Sequence, residues 1–273
     1  MSLTTINVWL DVIFTGLYAF ILIFLIFHFS LFVYLGRFRK SFIEGEWPEH
    51  DSRPPAAPKF VHAVHMFSMI GLGFTGMYLR FPYFASGRDF MRGTHYVLMT
   101  VVIVTLVWRV WYAFFSKNKD WDAFAIRKKD IASALGVLAY YGYFSNNKPH
   151  VAKYNVLQKI SYNLFLYMMI IQAITGLCLV RYDLLFGVSL SQILVGTWAG
   201  NLGGMALWMW IIRTLHYVIN WAFILMMTIH LYLAATADVP CALDFFGMEE
   251  LEVHPGGHGH DDAPAPAPEL QAS

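Results

Sequence analysis

The sequence predicts an all-α integral membrane protein with five transmembrane helices. Of its 273 residues, 58% are hydrophobic, and the mean hydropathy is +0.50. Only 14% are charged, against about 25% in a typical soluble domain, so there are too few charges to cover the surface of a soluble fold. Five apolar segments are each long enough to cross about 30 Å of hydrocarbon as a helix.

The predicted helices span residues 8–36, 60–80, 93–115, 157–180 and 206–236. The first is too long for the apolar part of a signal peptide and lacks a basic stretch before it and a small-residue cleavage site, so we expect a retained helix. A proline-rich polar loop follows it, and a longer lysine-rich loop separates the third and fourth helices. Residues 241–273 have no apolar periodicity and should form a disordered cytoplasmic tail.

The charges of the loops predict the orientation. Lysine and arginine gather in the loops after the first and third helices, whereas the loops on the other side carry only Arg80, Arg88, Arg92 and Arg181. The positive-inside rule then places the N-terminus outside and the C-terminus in the cytoplasm, in the cell inner membrane. The net charge of +1 and the lack of a basic patch with interleaved aromatics favour the lipid bilayer as a partner and argue against nucleic acid.

Two histidines interrupt the last apolar segment, His216 and His230, fourteen residues apart. On a helix they lie roughly 21 Å apart and about 40° apart in direction, so both face the same neighbours. His95 opens the third helix at the depth of His216, and His62 opens the second at the depth of His230. Buried imidazoles cost free energy unless they are satisfied, and two neutral imidazoles on facing helices are what bis-histidine ligation of haem iron requires. The alternative is a set of helix-end histidines bonded to carbonyls or lipid headgroups.

The other histidines and both cysteines have simpler interpretations. His65 lies one turn after His62 and could be mistaken for the ligand, whereas His28, deep in the first helix, fits an interhelical hydrogen bond. His50 is in a loop. The tail histidines fit a flexible polar segment better than a metal site, and the cysteines lack the spacing of covalently attached haem or an iron–sulfur cluster. These residues are His254, His258, His260, Cys178 and Cys241.

Several spaced motifs between residues 58 and 240 resemble one family. They are "KFVHAVHMFSMIGLGFTG", which contains His62, "RGTHYVLMTVVIVTLVWRVWYAF", which contains His95, and "AKYNVLQKISY". The tripeptide "ITG" at 174–176 and the fourteen-residue histidine spacing of the last helix complete the set. Together they resemble the di-haem cytochrome b subunits of membrane-bound nickel–iron hydrogenases, respiratory formate dehydrogenases and thiosulfate reductases.

The resemblance implies a four-helix bundle that holds two haems b in this part of the chain. Residues 1–57 are then an extra N-terminal transmembrane helix with a cytoplasmic loop, which the family core does not contain. Carried over to this sequence, His62 and His230 ligate an inner haem, and His95 and His216 ligate an outer one. This is the pairing that the depth of the histidines also predicts.

Three polar residues are further candidates for cofactor or quinone binding. Arg213, one turn before His216, could pair with the propionates of the outer haem. Arg109 could do the same at the inner haem, or it could form an interhelical salt bridge. In the family the quinone lies near the asparagine of "KYN", so Asn155 is the quinone-site candidate, although it could also cap the fourth helix.

The function implied by the resemblance is electron transfer within a larger complex. An extracytoplasmic iron–sulfur subunit and a catalytic subunit would deliver electrons to the outer haem, and a quinone would react near the inner haem. The reverse flow, from quinol to an external thiosulfate-type reductase, fits the same motifs. A haem-free transporter would need carboxylates inside the helices, where apart from Asp11 there are almost none, and a purely structural anchor is the remaining alternative.

Overall fold

The computed structural model describes residues 3–48, 50, 53–146, 154–185 and 187–253. Five helices in this part of the chain are long and apolar enough to cross a membrane, which confirms the predicted all-α membrane fold. They are α1 (Leu3–Tyr34), α2 (Ala56–Arg80), α3 (Arg88–Phe115), α5 (Val156–Cys178) and α7 (Met205–Ala237).

Shorter elements connect these helices. Three short helices are α4 (Lys128–Tyr141), α6 (Thr197–Ala199) and α8 (Val239–Phe245). A small antiparallel hairpin pairs β1 (Asp183–Leu185) with β2 (Val188–Ser189). Single turns of 3₁₀ helix cover Ala85–Gly87 and Trp121–Phe124, and single turns of π helix cover Arg39–Ile43 and Gln192–Gly196.

Helix α4 lies inside the segment that the sequence suggests is only a polar loop. It begins where the Asp130 carboxylate accepts a hydrogen bond from the Arg127 backbone N–H at 2.7 Å. The same carboxylate forms a buried ion pair with Lys159 of α5, at 2.9 Å. At 14 residues α4 is too short and too polar to be recognised as a membrane span, and this tertiary ion pair, rather than hydropathy, holds it on the bundle.

Helix α8 shows that the chain is ordered beyond the boundary that the sequence predicts for the tail at residue 241. Asp244 of α8 is 1% exposed and is paired with Lys59, at 2.6 Å, and with Arg53, at 2.8 Å. Burial raises the pKa of Asp244, but hydrogen bonds from Lys59 and Arg53 outweigh it and hold that pKa below its usual range. The order of this segment comes from ion pairs with residues distant in sequence, Arg53 of a loop and Lys59 of α2, which composition alone cannot show. Residues 254–273, with the three tail histidines, lie outside the described residues.

Helices α2, α3, α5 and α7 form the bundle. Gly71 allows α2 to approach α3 closely, since a Cβ at this position would lie only 2.6 Å from Cδ1 of Leu98. Met168 of α5 and Ile219 and Phe223 of α7 are buried together, and Met69 of α2 packs on them. Because Ile219 and Phe223 lie between the two histidines of α7, this apolar layer separates the two ends of the bundle.

Helix α1 lies at the edge of the bundle, with many apolar side chains exposed, as expected for a lipid-facing helix. Polar contacts near both of its ends attach it. Asp11 accepts a hydrogen bond from the Tyr217 hydroxyl at 2.6 Å and pairs with Arg80 at 2.8 Å. Near the other end, His28 Nδ1 lies 2.6 Å from the Tyr232 hydroxyl, which agrees with the interhelical hydrogen bond expected for this histidine.

Candidate functional site: two facing histidine pairs

Four histidines of the bundle meet in two pairs. His95 of α3 faces His216 of α7, and His62 of α2 faces His230 of α7; the ring centroids are 6.3 Å apart in each pair. We call these the His95 pair and the His62 pair. The structure thus brings together the same residues that depth and spacing pair in the sequence. Since α7 contributes one ring to each pair, the two pairs are stacked along the bundle roughly 21 Å apart.

The separation within each pair fits one metal ion between two imidazoles. A metal–nitrogen bond of about 2 Å on each side, with about 1.2 Å from each nitrogen to its ring centre, gives roughly 6.4 Å between centroids. Both observed values, 6.3 Å, agree with this estimate. The geometry therefore fits bis-histidine ligation of haem iron.

The rings of the His95 pair are hydrogen-bonded to threonines. His95 Nδ1 lies 2.8 Å from the Thr75 hydroxyl of α2, and His216 Nδ1 lies 2.9 Å from the Thr175 hydroxyl of α5. Each threonine precedes a glycine, and a Cβ on Gly176 would lie 3.4 Å from Cε1 of His216. Neither Nε2 atom of this pair has a hydrogen-bond partner among the described residues, so both remain available to a metal.

The rings of the His62 pair have aromatic neighbours instead. Phe245 of α8 lies 4.9 Å from the His62 ring, and Phe165 of α5 lies 6.3 Å from the His230 ring, between centroids. Within the described part of the chain, His62 Nδ1 is buried and has no hydrogen-bond partner. A buried nitrogen without a partner is costly, and ligation or ordered water would relieve this cost.

His65 points away from the His62 pair. Its Nε2 atom lies 2.8 Å from the hydroxyl of Thr105 on α3. The Thr105 hydroxyl donates to the Val101 carbonyl at 2.8 Å, so it accepts from the ring. The structure therefore places His62, and not its neighbour one turn away, opposite His230.

The two predicted arginines have different surroundings. Arg213 lines an open cavity of about 630 Å³ together with Arg181 and the polar residues Ser189, Ser191 and Gln192. Arg80, Arg88 and Arg181 contribute further positive charge around it, and no carboxylate lies within ion-pair distance of Arg213 in the described ranges. The cavity is thus suited to an anionic group such as a propionate.

Arg109 is engaged by the protein itself. Its guanidinium forms two hydrogen bonds with the carboxylate of Asp120, at 2.9 and 3.1 Å. The guanidinium also lies over the Phe124 ring, 5.5 Å from its centroid. Asp120 belongs to the loop after α3, so this is the salt-bridge alternative for Arg109 with a loop partner rather than a second helix. Its role toward a haem stays a prediction.

Asn155 is the N-cap of α5. Its Oδ1 accepts from the Gln158 backbone N–H at 3.0 Å, and the Gln158 side chain accepts from the Asn155 backbone N–H at 2.9 Å. The Nδ2 donor has only a long contact, 3.5 Å, to the Tyr141 hydroxyl. Burial raises the pKa of Tyr141, so this phenol stays protonated. The cap therefore occupies the amide oxygen of Asn155 and leaves its donor available.

A third group of possible ligands lies at the junction of α7 and α8. His50 Nε2 is 3.0 Å from Asp238, and the ligand atoms of His50, Asp238 and Cys241 all lie within 4.8 Å of one another. Asp238 also caps α8 through the Cys241 backbone N–H, at 3.3 Å. The loop histidine of the sequence analysis thus attaches the loop after α1 to the end of α7.

Thr75 and Thr175 are the site residues for which sequence reasoning gives no role, although both lie in the quoted motifs. A weak signal was present, since Thr-Gly occurs in "FTG" of α2 and in "ITG" of α5, although "FTG" also occurs at residues 14–16 of α1. Both threonines are buried, at 2% and 6% exposed. The contact with a histidine of another helix, which both threonines make, indicates a shared role.

Comparison with known proteins identifies the family. None of the curated proteins and none of the solved structures compared with the chain matches it. The family model described as prokaryotic cytochrome b561 matches residues 55–240, which include all four helices of the bundle and both histidine pairs. The chain therefore belongs to the prokaryotic cytochrome b561 family, and it is a multi-pass membrane cytochrome b of transmembrane electron transfer that binds haem b.

Proposed function

We propose that this protein carries electrons between an extracytoplasmic oxidoreductase, of the hydrogenase or formate dehydrogenase type, and the quinone pool through two haems b. The observation that carries the proposal is the pair of facing histidine sites, with equal centroid separations of 6.3 Å at opposite ends of one bundle. Two sites of this kind form a conduit across the membrane, whereas a structural anchor needs neither.

The chain would do three things in this process. Bound haem would supply the one-electron redox chemistry. His95, His216, His62 and His230 would fix where the two irons are held, because α7 sets their separation. The apolar layer between the pairs, from Met168, Ile219 and Phe223, would keep water out of the space between them.

The two ends of the bundle would have different roles. The His62 end adjoins the lysine-rich loops, so we assign it to the cytoplasmic side by the positive-inside rule. There the Nδ2 atom of Asn155 would donate a hydrogen bond to a quinone carbonyl. The His95 end, where Arg213 would face haem propionates, would receive electrons from the iron–sulfur subunit of the external partner.

The test is the haem content of the purified protein and of two single variants. We expect a b-type α-band in the reduced-minus-oxidised spectrum and two bis-histidine signals in electron paramagnetic resonance. His216→Ala should remove one signal and His230→Ala the other. His50→Ala, outside both pairs, is the control and should keep both. The absence of an α-band, or the retention of both signals in either α7 variant, would contradict the proposal.

A second measurement tests the partner and the quinone. In membranes that contain the assembled complex, substrate of the external enzyme should reduce both haems, and a quinone should reoxidise them. Blocked reoxidation in the presence of a quinone-site inhibitor would support the quinone link. Rapid haem reduction with no response to any quinone would remove quinone from the proposal while leaving the two haem sites intact.

A further inference from the structure

We propose that Thr75 and Thr175 are positioning residues that fix the ring orientation and the tautomer of the His95 pair, so that Nε2 of each ring faces the iron. The proposal rests on the proposed function, since it assumes that this pair ligates a haem. It assigns a role to the two threonine–glycine units whose threonines face the rings of the His95 pair, a contact that the His62 pair lacks.

The direction of each hydrogen bond follows from what else the hydroxyl contacts. Thr75 Oγ1 lies 2.7 Å from the carbonyl of Gly71, and Thr175 Oγ1 lies 2.8 Å from the carbonyl of Ile171. A carbonyl oxygen can only accept, so the single proton of each hydroxyl points at the preceding turn of its own helix. The hydroxyl oxygen is then left as an acceptor, and the facing Nδ1 of the histidine must donate.

An imidazole that donates through Nδ1 presents an unprotonated Nε2, which is the form that binds a metal. The hydrogen bond also holds the ring against rotation and raises the basicity of the ligating nitrogen. The neighbouring glycines complete the unit, because a Cβ on Gly76 or Gly176 would lie 3.6 or 3.4 Å from Cε1 of the facing ring. Threonine thus supplies the acceptor, and the glycine that follows it lies beside the same ring.

Each of the two threonines contacts a histidine on a neighbouring helix. Thr75 of α2 serves His95 of α3, and Thr175 of α5 serves His216 of α7. Each ring of the pair is therefore oriented by a helix other than the one that carries it. The two rings are held in the same way, and both bonds have nearly the same length, 2.8 and 2.9 Å.

The experiment compares Thr75→Val and Thr175→Val with the parent protein in redox titrations and electron paramagnetic resonance. Valine keeps the shape of threonine but removes the acceptor, so the ligating nitrogen becomes less basic and the oxidised iron less stable. For the haem of the His95 pair we expect the equilibrium to shift toward the reduced iron by roughly threefold to tenfold, which is about 30 to 60 mV for one electron. The haem of the His62 pair should keep its potential.

Matched variants separate this role from a general effect on packing. Thr75→Ser and Thr175→Ser retain the hydroxyl and should restore the parental potential and spectrum. Thr100→Val removes an exposed hydroxyl of α3 that bonds only to its own helix, and it should change neither haem. His216→Ala identifies which signal belongs to the His95 pair.

The outcomes distinguish this inference from the proposed function. If the parent protein lacks two bis-histidine signals, the proposed function fails. If both signals are present but the valine variants leave the potential and spectrum of the His95-pair haem unchanged, or shift the other haem instead, the threonines do not position the rings. A downward shift would also overturn the inference, because it would mean that the hydroxyl donates to the ring.

Discussion

The two ends of the bundle differ in which polar groups have partners within the protein. At the His95 end both imidazoles have hydroxyl partners, whereas Arg213 and Arg181 have no carboxylate partner among the residues that the structure describes. At the His62 end the buried carboxylate of Asp244 is paired with Lys59 and Arg53. There it is the ring nitrogen of His62 that lacks a partner within the described chain.

The two histidine pairs have the same ligand geometry, but the surroundings of the ligands differ. Both pairs have the same centroid separation of 6.3 Å, so the same iron coordination fits each. Hydrogen bonds to the ligands, nearby charge and burial are the means by which a protein sets the potential of a haem, and these differ between the ends. We therefore expect two haems with the same ligands and different midpoint potentials.

The largest effect should come from removing a ligand at the His62 end. His62→Ala should eliminate one of the two haems, because His230 would have no opposite ring. His65→Ala, one turn away, should retain both haems, since the His65 ring bonds to Thr105 at 2.8 Å instead. Haem content and electron paramagnetic resonance of the two purified variants check this. A loss of haem in His65→Ala with full retention in His62→Ala would mean that His65, and not His62, is the ligand.

A smaller effect should follow from removing the charge of Arg213, which has no carboxylate partner among the described residues. Arg213→Gln takes away a positive charge that favours the reduced iron, so the potential of the haem in the His95 pair should fall. An exposed arginine at haem distance contributes roughly 1 kcal/mol after screening. The sign is opposite to that of the Thr75→Val change at the same haem.

Redox titration measures the Arg213 effect, and Arg92→Gln is its control. Arg92 lies at the same end but is paired with Asp89 at 3.1 Å, so its loss should leave both potentials close to those of the parent. If the two glutamine variants behave alike, the charge of Arg213 does not act on a haem. A shift confined to the haem of the His62 pair would mean that Arg213 does not act on the haem of the His95 pair.

The fold and the histidine pairs could be predicted because they follow from simple periodicities. Span length fixes the number of membrane helices, and the fourteen-residue spacing on α7 places His216 and His230 on one stripe. Helix α4 and the ordered segment around Asp244 could not be predicted, since they depend on ion pairs with residues that are distant in sequence, such as Lys159 and Lys59. Hydropathy carries no information about such partners.

The role of Thr75 was difficult to predict for a different reason. In an apolar helix a threonine that bonds to its own backbone satisfies itself, so nothing in the sequence requires an external partner. Only the position of the histidine on the neighbouring helix shows that the hydroxyl has a second bond. Arg109 is the reverse case, because its position suggests a cofactor contact, while the structure shows a partner, Asp120, in the following loop.

The smallest predicted effect concerns Asn155 at the His62 end, where capping and quinone binding use different atoms. Asn155→Asp keeps an oxygen that can accept from the Gln158 backbone N–H but removes the Nδ2 donor, whereas Asn155→Ala removes both. If Nδ2 donates to a quinone carbonyl, each variant loses that one hydrogen bond to the quinone. This loss is worth about 1 kcal/mol, or several-fold in rate.

Two measurements, the rate of quinone reduction and the stability of the protein, show whether Asn155 acts through Nδ2 or through Oδ1. We expect both variants to slow the oxidation of pre-reduced haem by a soluble naphthoquinone several-fold in stopped-flow measurements, with normal haem content. Only Asn155→Ala should also lose about 1 kcal/mol of stability, since aspartate remains a good N-cap. Parental quinone kinetics in Asn155→Asp, with slow kinetics in Asn155→Ala, would mean that Asn155 acts as a helix cap alone. In that case the Tyr141 hydroxyl, 3.5 Å from Nδ2, becomes the nearest remaining donor for a quinone at this end.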